Sequence, residues 1–177
     1  SPTSVSQVKI IMPASVASRP SSARSSCVRF TPGAVVSPIR PVACSVPAQA
    51  VRSAAAKAWS IWEGTTSKLR VDPDYIAHYG GDGFADAFAR IEAHYFVHGA
   101  WLKTDTQLLD DVTKIAHIPG VIVQGRYDVV CPAASAWALH KRWPSSKLVI
   151  VPDAGHSIKE PGILSALVQA TDDFASL

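Results

Sequence analysis

The chain has 177 residues, a length that suits one domain, and 47% of them are hydrophobic, enough for an ordinary core. Its net charge of +3 averages two unlike parts: residues 1–62 carry seven Lys or Arg and no acidic residue, whereas residues 63–177 carry ten basic and fourteen acidic residues. The acidic part has no basic stripe with interleaved aromatic residues, so no nucleic-acid partner is predicted. No apolar run approaches the ~20 residues that span a bilayer, so no membrane partner is predicted either.

Cysteine and histidine do not indicate a metal site. The three cysteines, Cys27, Cys44 and Cys131, are far apart and odd in number, which fits neither a disulfide framework nor zinc. The histidines outside the C-terminal motif also lack a ligand spacing: His78, His94, His98, His117 and His140. We therefore predict no metal and no cofactor.

Residues 1–51 are predicted to be a disordered, transit-peptide-like segment. Prolines recur through them, and each removes a backbone donor and forbids a helix interior. We therefore expect no regular element here. Absence of acidic residues together with Ser and Arg is typical of an organelle transit peptide. The stretch from Met12 resembles the start of a chloroplast transit peptide and the residues around Cys44 a processing site, so we predict a chloroplast protein; the alternative is an untargeted tail on a cytoplasmic one.

Residues 52–103 are predicted to form three helices. The first covers about residues 53–64 and is expected to end at Gly64. The second begins at Asp72, a capping residue that is followed by proline. The third is the strongest in the chain, because apolar residues recur along one stripe, namely Phe84, Phe88, Ile91 and Tyr95.

Residues 104–177 are predicted to alternate between strands and helices. Residues 121–125 and 147–153 are short β-branched apolar runs, typical of strands buried on both faces of a parallel sheet. Each is followed by a helical segment, which predicts the α/β class. Two strands alone cannot form such a sheet, so the sheet is predicted to lack strands that should precede Arg52.

Residues with catalytic potential follow both predicted strands. Because ligands bind beyond the carboxyl ends of parallel strands, Asp128 in GRYDVVCP and His156 in PDAGHS should lie at the same edge of the sheet. A carboxylate that accepts from one imidazole nitrogen fixes the ring's tautomer and stabilises the imidazolium formed when the other nitrogen takes a proton. Alone, Asp128 would be a turn former. Both residues in this strand order indicate the acid and the histidine of a hydrolase triad.

The runs IPGVIVQGRYDVVCP and KLVIVPDAGHSIKEPGI, with the earlier AWSIWEG and ARIEAHYF, resemble the C-terminal portion of the proline iminopeptidases, or prolyl aminopeptidases, of the α/β-hydrolase superfamily. The resemblance covers about Ala54 to the C terminus. It implies a partial α/β-hydrolase fold, with a helical cap segment at residues 52–103 and the last two strands and helices of a parallel sheet at 104–177. It also implies a serine aminopeptidase whose substrate is a peptide with an N-terminal proline, with Asp128 as the triad acid and His156 as the general base.

The resemblance implies three substrate-binding residues as well. Cap glutamates of the family bind the substrate's free amino group, and Glu63 in WSIWEG and Glu92 in ARIEAHYF match them. Buried carboxylates are strong acceptors for a protonated proline nitrogen. Without the resemblance, exposed helix charges would be the preferred interpretation. Cys131, three residues after Asp128, either lines the site or is a small buried filler.

The sequence departs from the family at the nucleophile. Neither a G-x-S-x-G pattern nor an HG-rich oxyanion loop occurs in these 177 residues, and losing either function costs orders of magnitude in rate. Three hypotheses stay open. The sequence is a truncated gene model or splice product of a prolyl aminopeptidase, a non-catalytic protein that binds peptides or a partner, or a half-hydrolase whose sheet is completed by a second copy or a complementing chain.

Overall fold

The structure is a computed structural model that describes residues 3–12, 28–32 and 49–176. Its strands and helices are β1 (Thr3–Ile11), β2 (Val28–Pro32), α1 (Gln49–Thr66), α2 (Pro73–Tyr79), α3 (Asp82–Val97), α4 (Gln107–Asp110), β3 (Gly120–Gly125), α5 (Ala133–Arg142), β4 (Ser146–Val151) and α6 (Pro161–Ala175), with 3-10 turns at Gly99–Trp101 and Asp111–Lys114. Among these helices, none has the length and apolar character needed to cross a membrane. The chain divides into two units: residues 1–34 with 104–177, which hold the sheet, and residues 35–103, which hold α1 to α3.

The sheet has four strands in the order β2-β1-β3-β4. β3 and β4 are parallel, with Gly120 opposite Ser146 and Gly125 opposite Val151. Helix α5 connects them and α6 follows β4, so the predicted alternation of strand and helix is confirmed. β1 runs antiparallel to β3 on the side away from β4.

The N-terminal strands correct the prediction for residues 1–51. No regular element was expected there, yet β1 and β2 form an antiparallel pair, and α1 begins at Gln49. The reason is local: residues 3–12 contain no proline and are rich in valine and isoleucine, which favour strands. β1 and β2 thus add two strands to the sheet where the sequence predicted missing strands, and β1 runs antiparallel to β3. Residues 13–27 and 33–48 lie outside the described residues, and the chloroplast transit peptide stays a prediction.

The core of this unit lies on both faces of β3, because successive side chains of a strand point to opposite faces. Ile122 packs on one face in a cluster centred on the fully buried Trp143, and Val123 packs on the other face with Ile163 of α6. Burial of β3 on both faces is therefore confirmed. The same prediction for residues 147–153 is wrong: β4 ends the sheet order, and Ile150 is exposed.

In the helical unit, α1 and α3 pack through small residues. The buried positions of α3 include Ala85 and Ala89, and the Ser60 hydroxyl on α1 donates to the carbonyl oxygen of Ala85. The predicted apolar stripe is therefore wrong in its second half, where Ile91 and Tyr95 are exposed. Small side chains let the two helices approach closely, which sets the buried face one residue away from the stripe.

Gly64 does not end α1, which continues to Thr66. A Cβ on Gly64 would lie 2.9 Å from the Cβ of Tyr79, so this glycine allows α2 to pack against α1. At the start of α2 the sequence prediction is confirmed: Asp72 is the N-cap and its side chain accepts from the backbone N–H of Tyr75.

Candidate active site

The carboxyl ends of β3 and β4 are held together by backbone contacts. The N–H of Arg126 donates to the carbonyl of Val151 at 2.9 Å, and the N–H of Tyr127 donates to the carbonyl of Ala154 at 3.0 Å. A Cβ on Gly125 would lie only 1.9 Å from the carbonyl oxygen of Gly155. Only glycine permits this approach, which places the loops after the two strands side by side.

Asp128 and His156 meet in these loops. His156 Nδ1 lies 3.0 Å from Asp128 Oδ2, across 28 residues of sequence. Asp128 is only 6% exposed, whereas the His156 side chain keeps 11% of its surface accessible. With the proton on Nδ1 donated to Asp128, Nε2 is the nitrogen free to act as a base. The structure thus brings together the two residues that the sequence places after neighbouring strands.

Two further groups hold the Asp128 carboxylate. The backbone N–H of Cys131 donates to Oδ1 at 2.7 Å, and Nε2 of Gln124 donates to Oδ2 at 3.2 Å. Gln124 is fully buried and also donates to the carbonyl of Cys131 at 2.9 Å. These bonds fix the orientation of the Asp128 carboxylate toward His156.

Sequence reasoning missed Gln124, although a signal existed. It is the one polar side chain within the run VIVQG, and a polar residue in a buried strand requires hydrogen-bond partners. Glu160 was missed too: its Oε1 accepts from the backbone N–H of Gly155 at 2.7 Å and so supports the loop that carries His156.

Cys131 contributes its backbone N–H and carbonyl to the site. Its residue is 1% exposed, and its thiol lies close to the acid–histidine pair: suitable ligand atoms of Asp128, Cys131 and His156 are all within 4.8 Å of one another. This is the one group of three metal-ligand side chains in the described part of the chain. We assign no ion to it, because both Asp128 oxygens already accept protein hydrogen bonds.

Glu63 and Glu92 are buried in the helical unit, with 4% and 7% of their surfaces exposed. They are therefore not the exposed helix charges that the bare sequence favours. Trp59 Nε1 donates to Glu92 Oε2 at 2.8 Å. A buried carboxylate is costly unless it is paired or hydrogen-bonded, and this hydrogen bond offsets part of that cost for Glu92.

The pKa of Tyr79 responds to the negative charge of the two glutamates. Burial raises the pKa of Tyr79 well above its ordinary value, and a 2.9 Å hydrogen bond between its hydroxyl and that of Tyr75 adds to the rise. The charges of Glu63 and Glu92 raise this pKa further. The charges of both carboxylates therefore act on the Tyr79 hydroxyl.

Comparison with known proteins supports the resemblance. The family model of the TAP-like proteins, which are α/β-hydrolases, matches residues 93–175. The chain is 64% identical over 126 residues to the probable proline iminopeptidase of Leptolyngbya boryana, a match that covers 71% of this chain and 39% of that protein.

Two other relatives give the same result. The chain is 59% identical over 127 residues to the proline iminopeptidase of Xanthomonas citri, covering 72% of this chain and 41% of the relative. It is 51% identical over 127 residues to the proline iminopeptidase of Arabidopsis thaliana, covering 72% of this chain and 33% of the relative. The chain thus spans about two fifths or less of the length of these curated relatives.

Proposed function

We propose, on the premise that the C-terminal portion of this chain is homologous to the proline iminopeptidases of the α/β-hydrolase superfamily, that the chain carries the acid–base part of a serine aminopeptidase. That enzyme would release an N-terminal proline from a peptide. The observation that carries the proposal is the 3.0 Å hydrogen bond between His156 Nδ1 and the buried Asp128 carboxylate at the ends of two parallel strands.

The chemistry follows from this pair. His156 Nε2 takes the proton from the attacking hydroxyl and later gives it to the departing amine. Asp128 stays ionised and stabilises the imidazolium in between, helped by the hydrogen bonds from Gln124 and from the N–H of Cys131. Histidine acting in this way contributes typically ~10²- to 10⁴-fold in rate.

We assign recognition of the substrate's N-terminal amine to the helical unit. Glu63 and Glu92 supply buried negative charge for the protonated amine of an N-terminal proline, and the hydrogen bond from Trp59 orients Glu92. Charge-assisted hydrogen bonds of this kind are roughly twice as strong as neutral ones. An N-acylated proline lacks the positive charge and should be rejected.

The attacking serine is not supplied by a G-x-S-x-G motif in these 177 residues. We therefore propose that the chain alone does not hydrolyse proline 4-nitroanilide, and that the nucleophile comes from sequence outside it. Turnover by the purified chain that disappears in His156→Ala would contradict this part of the proposal.

The positive test is a chimera with the Leptolyngbya boryana relative, in which the 126 matched residues of that protein are replaced by those of this chain. The chimera should hydrolyse proline 4-nitroanilide in preference to the N-acetylated substrate and the alanine analogue. Asp128→Asn and His156→Ala should each lower kcat at least 10³-fold, as expected for triad members.

Glu92→Gln should mainly raise KM, since the carboxylate binds the substrate's amine and not its reacting carbonyl. Glu160→Gln, which alters a buried carboxylate outside the helical unit, is the matched control and should leave the preference for a free amine intact. A chimera that cleaves acylated and free substrates equally well, or that is unaffected by His156→Ala, would refute the proposed function.

A further inference from the structure

We infer that Lys9 of β1 is a positioning residue for the Asp128–His156 pair. Its Nζ lies 3.8 Å from Asp128 Oδ2, the oxygen that accepts from His156 Nδ1. Lys9 is 5% exposed, and Asp128 is also buried. A basic residue from the N-terminal strand therefore sits beside the acid in the interior of the sheet unit.

The direction of β1 explains why Lys9 arrives there. β1 is antiparallel to β3, with Lys9 opposite Val123 and Ile11 opposite Val121. The N-terminal side of β1 consequently lies toward the carboxyl end of β3, where the chain continues into the loop of Asp128. A parallel strand in the same place would carry its later residues to this edge instead.

Burial gives the contact its significance. Among the described residues, Lys9 Nζ is a buried nitrogen without a hydrogen-bond acceptor. An ammonium group taken out of water is costly unless an opposite charge compensates it, and Asp128 is the carboxylate within ion-pair distance. The attraction holds the carboxylate in its rotamer, and the positive charge makes the electrostatic potential at the oxygen that His156 uses less negative.

The contacts around the acid–histidine pair involve four other titratable groups: Asp128 and Cys131 lie close to His156, Lys9 lies beside Asp128, and Glu160 accepts a hydrogen bond within the loop of His156. Lys9 is the cation among them. It therefore weakens Asp128 as an acceptor and moderates the hydrogen bond to His156 Nδ1. Lys9 also lies outside the C-terminal portion that is similar to the relatives.

The test is proton NMR of the Nδ1-bound proton of His156 in the full chain at one pH, with the signal identified by its loss in His156→Gln. A stronger acceptor moves such a proton downfield. Lys9→Met should therefore displace the signal downfield, and Lys9→Gln, which keeps a donor without the charge, should displace it in the same direction. Lys9→Arg keeps the charge and should restore the position.

Lys147→Met, an exposed lysine on β4, is the matched control and should leave the signal unchanged. An unchanged signal in both Lys9→Met and Lys9→Gln, or equal displacement in Lys147→Met, would overturn the inference. The inference uses the Asp128–His156 pair of the proposed function but not its substrate. Failure of the chimera to cleave proline substrates would refute the proposed function and leave the NMR result standing.

Discussion

Gly125→Ala adds one methyl group to the chain. We expect this methyl group to disturb the active site more than one added at any other position. The new Cβ would lie 1.9 Å from the Gly155 oxygen and 2.7 Å from the Ala154 oxygen, so the loop of His156 must move away by about 1 Å. Overpacking a closed interior costs about 1–3 kcal/mol. The shift also strains the backbone hydrogen bonds donated by Arg126 and Tyr127, worth about 1 kcal/mol each. We therefore expect a loss of about 3–5 kcal/mol in the free energy of unfolding.

The measurement is urea unfolding followed by the fluorescence of the tryptophans, fitted with a common slope for all variants. Gly83→Ala is the control: its Cβ would meet nothing within 4 Å, and it lies in α3, where alanine gains up to about 1 kcal/mol over glycine. If Gly125→Ala stays within about 1 kcal/mol of the parent chain, or keeps the His156 Nδ1 proton signal unchanged, the two loops are not held together as described.

Two other predictions concern stability. Trp143→Ala should lower the free energy of unfolding by about 3–5 kcal/mol, because Trp143 is fully buried and donates a hydrogen bond to the Ile118 carbonyl at 2.9 Å. Trp137 is exposed, so Trp137→Ala should lower it by less than about 1 kcal/mol. Equal losses for the two variants in urea unfolding would contradict this packing. Folding raises the pKa of Tyr79 above its unfolded-state value of 10.0. The neutral Tyr79 side chain therefore contributes fully to the free energy of unfolding below pH 10.0, and this contribution is lost as the pH rises above that value. Tyr79→Phe should lessen that alkaline loss, and an unaltered pH dependence would argue against the partial burial of Tyr79.

Local patterns were sufficient to find the helices and the parallel strands. The N-cap at Asp72 and the strand at residues 121–125 depend on residues close together in the chain, so sequence alone predicts them. Errors arose where neighbours decide the outcome. Exposure of Ile91 follows from the close approach of α1 to α3, and exposure of Ile150 from the edge position of β4.

The sequence by itself determined the chain order, in which a strand is followed by the acid and a helix, and the next strand by the histidine and a helix. When the two strands pair in parallel, the acid and the histidine must lie at the same edge of the sheet. Only the tertiary structure decided what surrounds them. Gln124 and Lys9 contact Asp128 because of the face that β3 presents and the antiparallel direction of β1. Those contacts are set by strand pairing between distant parts of the chain, where a shift of one residue turns every side chain to the opposite face.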